Sequence, residues 1–131
     1  MGTRARINVY EGDKILVSIY RQMDGYPSGL GEELKAFLSG LKLVNGLSGV
    51  RAVANGMGCL AAQVVAHLKD GAGSIYIRDT GPESHGEQYV YNLYDVDGRV
   101  WITVFEDEWE EEAMVPVYNG FIDEFVVREA A

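Results

Sequence analysis

Arg21, Asp24 and Tyr26 lie close together in a stretch from Tyr20 to Gly31 that also holds Gly25, Pro27, Ser28 and Gly29. A guanidinium, a carboxylate and two phenol rings set among turn-forming residues are parts suited to binding a small anion that carries a ring. Arginine would meet phosphate or carboxylate charge, and tyrosine would offer a face for stacking. Ser28-Gly29-Leu30-Gly31 and Asn55-Gly56-Met57-Gly58 add a second device, because each places two glycines at the expected start of a helix. Unpaired N–H groups and a partial positive charge gather there, and glycine lets an anion approach the backbone. The same glycines also have a plainer use in helix packing and cap geometry. The ligand-binding candidates are Tyr20, Arg21, Asp24, Gly25, Tyr26, Ser28, Gly29, Asn55 and Gly56. We expect the loop to be rigid, Gly25 to take a positive φ, Ser28 and Asn55 to cap their helices, and both helix starts to line one pocket.

Other chemistries find less support. His67 and His85 have no His or Cys at ligand spacing, and the acidic run Glu106–Glu112 lacks the glycine-punctuated spacing of a calcium loop, so no metal is expected. Cys59 stands near a helix start, where a thiolate is stabilised, but Gly58-Cys59-Leu60-Ala61-Ala62 is also an ordinary close-packed helix opening. No Gly-x-Ser-x-Gly elbow or Walker-type loop occurs, so no catalytic residue and no cofactor is assigned. Asp24 as a base with Arg21 as an electrostatic stabiliser is the alternative in which the loop hydrolyses a nucleotide.

The chain has 131 residues, 47% of them apolar and 24% charged, which suits one globular domain spanning 1–131. A net charge of −9 argues against binding nucleic acid or an anionic membrane surface. A single cysteine forms no internal disulfide, and no apolar run resembles a signal peptide or a membrane span, so the expected compartment is the cytoplasm. Trp109 within the acidic run offers an aromatic anchor for a protein partner, and homo-oligomerisation is compatible with the sequence.

These residues need elements to hold them. Residues 6–10 and 15–20 read as strands joined by Glu11-Gly12-Asp13-Lys14. A helix runs from near Ser28 to Leu41, and a second from Asn55 to Lys69. Strands follow at 74–78, 87–94 and 99–105, the last two joined by Asp97-Gly98, a strong hairpin signal. Val115 and Val117 suggest one more edge strand before a Tyr118-Asn119-Gly120 turn, and residues 119–128 fit either helix or strand. The expected fold is α+β: an antiparallel sheet of about five strands in the order ββααβββ, with two helices on one face.

Ile19 to Gly31, Leu43-Val44-Asn45-Gly46 and Asn55-Gly56-Met57-Gly58-Cys59-Leu60-Ala61-Ala62-Gln63 together resemble a family of small bacteriophage and prophage proteins. The resemblance runs through Tyr94 and implies a small soluble accessory protein in a host cell, with no activity to carry over. By analogy it suggests sequestration of a nucleotide-like immune signal without turnover, or an acidic module that engages a host protein.

Overall fold

The computed structural model describes residues 3–44, 53–80, 87–108 and 113–126. Among the described residues eight strands form one mixed sheet: β1 (Ala5–Glu11), β2 (Lys14–Arg21), β3 (Lys42–Val44), β4 (Val53–Asn55), β5 (Ile75–Arg78), β6 (Tyr89–Val96), β7 (Arg99–Glu108) and β8 (Ala113–Phe121). The order is β4-β3-β7-β6-β1-β2-β5. β8 lies along the outer side of β7, from Trp101 to Glu108, while β3 meets that same strand at Arg99. The α-helices α1 (Glu32–Leu38) and α2 (Gly56–Leu68) make the architecture α+β.

The expected antiparallel five-strand sheet is corrected on two counts. β1 pairs with β6 in parallel, Ile7 against Tyr91, and β3 pairs with β4 in parallel, Leu43 against Ala54. Strands β3 and β4 are three residues each, too short to show a period, and fall where the sequence suggested a connector and a helix cap. Asn45-Gly46 and Ser48-Gly49 of that connector lie outside the described residues. Tyr118-Asn119-Gly120, read as a turn, continues β8 to Phe121, and a single 3₁₀ turn, Ile122–Glu124, follows. The Asp97-Gly98 hairpin agrees with its sequence: both residues take positive φ, 54° and 76°.

Alternate residues of the central strands face the helices. Ala5, Ile7 and Val9 of β1, Ile19 of β2, and Tyr91 and Leu93 of β6 join Leu34 and Leu38 of α1 and Leu60, Val64 and Leu68 of α2 in one buried cluster. The opposite face is striped. Across its middle run Ser18, Asn8 and Asn92, linked by Ser18 Oγ donating to Asn8 Oδ1 at 2.7 Å and Asn8 Nδ2 donating to Asn92 Oδ1 at 3.0 Å. Such a ladder resists slippage, since a one-residue shift would turn every side chain to the wrong face and strand buried amides without partners.

The loop after β2 is seated against the start of β1. Gly25 N–H donates to the Thr3 carbonyl at 2.9 Å, and the Tyr91 hydroxyl donates to the Gly25 carbonyl at 2.7 Å. The positive φ belongs to Asp24, at 58°, and not to Gly25 as expected. Gly25 is required by proximity: a Cβ there would lie 2.6 Å from Ala5 Cβ and 2.9 Å from Thr3 O. The long helix expected from Ser28 is also divided. Pro27–Gly31 is a π-helical turn whose preceding residue is Tyr26, so Ser28 lies inside it and caps nothing. A π turn widens the helix by one residue per turn, which suits a junction where the chain swings from loop to α1.

Gly25→Ala should therefore destabilise the protein by about 1–3 kcal/mol through overpacking. Gly58→Ala, in α2 with nothing within 4 Å of its Cβ position, should be neutral or stabilising. Urea unfolding of the two variants checks the contrast, and a Gly25→Ala midpoint equal to that of the parent would refute the close-packed loop.

Candidate functional site

Tyr20 and Arg21 end β2, and neighbouring strand residues point to opposite faces. Tyr20, paired with Arg6 and Tyr76, lies on the striped face; Arg21 turns toward α1. The pairing of an Arg21 charge with a Tyr20 stacking face in one site, expected from their adjacency, is not formed. Arg21 is instead tied down internally. Its Nε donates to the Met23 carbonyl at 2.8 Å, and its Nη1 meets Glu33 Oε2 at 3.0 Å.

Around Arg21 lies an open depression lined by Arg21, Gln22, Met23, Asp24, Glu33, Leu68, Asp70 and Ser74. One cation stands there against three carboxylates, so the net charge of the depression disfavours anions. The side of α2 that reaches it is the C-terminal end, at Leu68, where the helix dipole is negative. Asn55 and Gly56 sit at the other end of α2, about 20 Å away for a 13-residue helix. The expected shared pocket between the loop and the Asn55-Gly56 helix start is thus corrected. Sequence placed both at helix starts, but α1 and α2 begin at opposite ends of the sheet: β4 leads into α2 beside Arg99, whereas the loop leads into α1 beside Ala5 and Arg21.

The remaining candidates serve the loop itself. Tyr26 is exposed, with its hydroxyl 3.3 Å from Asp24 Oδ1. The Asp24 carbonyl accepts the Leu30 N–H at 2.9 Å, and a Cβ at Gly29 would meet that carbonyl at 2.6 Å. Ser28 is exposed on the π turn. Asn55 does precede α2 as expected, without a side-chain cap hydrogen bond. His67 stacks on Phe37 with centroids 4.0 Å apart, a packing role. The Sγ of Cys59 meets Gln63 Oε1 at 3.6 Å on an exposed surface. No group of three or more metal-ligating side chains occurs among the described residues. His85 and the Trp109–Glu112 segment lie outside the described residues.

A different constellation forms on the striped face at the sheet margin. Arg78 of β5 lies over the Tyr20 ring at 4.8 Å and the Tyr76 ring at 5.4 Å, and Lys69 Nζ stands 5.9 Å from the Tyr76 centroid. The two rings are 6.0 Å apart. Arg78 is exposed and makes no ion pair among the described residues. Tyr76 and Arg78 two apart on one strand were the available sequence signal. Their pairing with Tyr20 depends on β5 docking beside β2 across more than fifty intervening residues, which no local pattern reveals.

The chain matches no family model, no curated protein and no solved structure. No described helix is long and apolar enough to cross a membrane.

Burial holds the Tyr91 phenol protonated well above the ordinary tyrosine range; neighbouring Tyr89 adds to the shift and Arg21 opposes it. The unfolded chain releases that proton near pH 10, whereas the folded chain retains it. The contribution of neutral Tyr91 is therefore full below about pH 10 and is lost as pH rises beyond it. Tyr91→Phe should cost about 1 kcal/mol at neutral pH through the Gly25 hydrogen bond. It should also flatten the alkaline fall in urea midpoint without abolishing it, because Tyr10, Tyr89 and Tyr118 shift in the same direction. An unchanged alkaline slope in Tyr91→Phe would contradict this account.

Proposed function

We propose that this protein binds, without turning it over, a small anionic ligand that carries an aromatic ring, of the nucleotide class. The observation that carries the reading is Arg78 laid over Tyr20 and Tyr76, exposed and free of carboxylate partners among the described residues. A guanidinium held flat by rings keeps its donor edge turned outward for phosphate or carboxylate, and the ring faces accept a base. Lys69 adds a second cation at the margin of the same patch. Of the residues first considered for binding, Tyr20 belongs to this surface; Arg21, Asp24, Gly25, Tyr26, Ser28 and Gly29 build the loop behind it. The hydrolase alternative loses its electrostatic support, since Arg21 is bound to Glu33 and the Met23 carbonyl. The role that suits such a protein is sequestration of a nucleotide-like signal, in keeping with the phage-protein resemblance.

A screen of nucleotides and cyclic dinucleotides by thermal shift, followed by calorimetry on any hit, tests the reading. A ligand present at about 100 times its dissociation constant should stabilise the fold by about 2.7 kcal/mol. Arg78→Ala should weaken that ligand at least about tenfold, a loss of roughly 1.4 kcal/mol, while Arg21→Gln should leave affinity within about twofold. Recovery of intact ligand from the denatured complex is expected. No thermal shift with any nucleotide, equal affinity in Arg78→Ala, or recovery of hydrolysis products would overturn the proposal.

A further inference from the structure

Among the described residues, strand β5 closes one margin of the sheet and pairs with β2 alone. Its register decides which backbone groups remain open. Gln22 N–H donates to the Ser74 carbonyl, so Ser74, Tyr76 and Arg78 direct their backbone groups at β2. Ile75, Ile77 and Asp79 direct theirs outward. Ile75 is already served: its N–H donates to the Gly73 carbonyl at 2.8 Å, and its carbonyl accepts Lys69 Nζ at 3.3 Å. Among the described residues Ile77 is left with its N–H and C=O at the open margin, and its side chain is 58% exposed. On the far side of the sheet β8, which lies beside β7, carries Pro116, which has no N–H to offer.

We propose that β5 pairs with β5 of a second copy of the chain, antiparallel about a two-fold axis at Ile77. Directly opposed residues in an antiparallel pair share a face, so a two-fold pairing must centre on a residue. Centring on Ile77 lets the two Ile77 backbones exchange both free hydrogen bonds and brings the two exposed isoleucine side chains together. On the striped face each Arg78 falls opposite Tyr76 of the second copy, the contact it already makes within its own strand. On the other face Asp79 of the second copy falls opposite Ile75, whose carbonyl holds the Lys69 ammonium, giving two symmetry-related Lys69–Asp79 pairs. Charge complementarity thus selects a second copy over an unrelated strand. Centring on Tyr76 instead would oppose two tyrosines and set Ser74 against Arg78, leaving Asp79 without a cation.

This inference does not depend on the ligand proposal. Sedimentation velocity of the whole chain over a concentration series should show a mass rising toward twice that of the monomer. Ile77→Asp, at an exposed site on the face away from Tyr76 and Arg78, should weaken association at least about tenfold. Asp79→Lys should weaken it similarly, and Asp79→Lys combined with Lys69→Glu should restore it. A monomer at every concentration, unaltered association in Ile77→Asp, or no recovery in the charge-swapped variant would overturn the proposal.

Discussion

Strand β1 is enclosed on every side, and the rest of the structure follows from that. Its edges are taken by β2 and β6, its residues Ala5, Ile7 and Val9 fill the core beneath the helices, and Arg6 and Asn8 are buried on the other face. Polar groups so placed must be satisfied within the protein. Asn8 is held by Ser18 and Asn92, and Arg6 meets Glu87 at 2.9 Å with both side chains almost fully buried. Losing one member of such a pair leaves an uncompensated buried charge, so these contacts define the sheet's register more than they add to its stability. The loop after β2 inherits the same constraint. It can close over the start of β1 only because Gly25 has no side chain to collide with Ala5.

Local pattern made the long strands, both helices and the Asp97-Gly98 turn legible, because apolar alternation and helical spacing are written in adjacent residues. It did not show β3 and β4, where three-residue strands carry no period, or the parallel pairing of β1 with β6, which depends on a crossover rather than a turn. That the chain turns sharply here was readable from its crowding of Asp24, Gly25 and Pro27, but the purpose of the turn was not. Positive φ fell to Asp24, and glycine was demanded by a contact with a strand some twenty residues upstream. The candidate site fared likewise. Tyr20 and Arg21 are neighbours in sequence and face away from each other in space, while Tyr20 and Arg78 are distant in sequence and stacked.

Charge distribution then separates the two surfaces. The depression by the loop is acidic and its arginine is spoken for, in a chain whose net charge is −9. The striped face carries Arg78 and Lys69 beside Tyr20 and Tyr76, a small cationic and aromatic island where an anion with a ring has both its charge and its face matched. On the proposed reading, the charge of the island draws the anion and the ring faces distinguish one that carries a base.

The central claim is that this island, and not the glycine-rich loop, receives the ligand. Nuclear magnetic resonance locates it without any substitution. Titration with a nucleotide should move the Arg78 side-chain Nε–H signal and the ring signals of Tyr20 and Tyr76, leaving the backbone amides of Gly25, Gly29 and Gly56 in place. Shifts confined to those glycine amides, with Arg78 and both rings unmoved, would contradict the account.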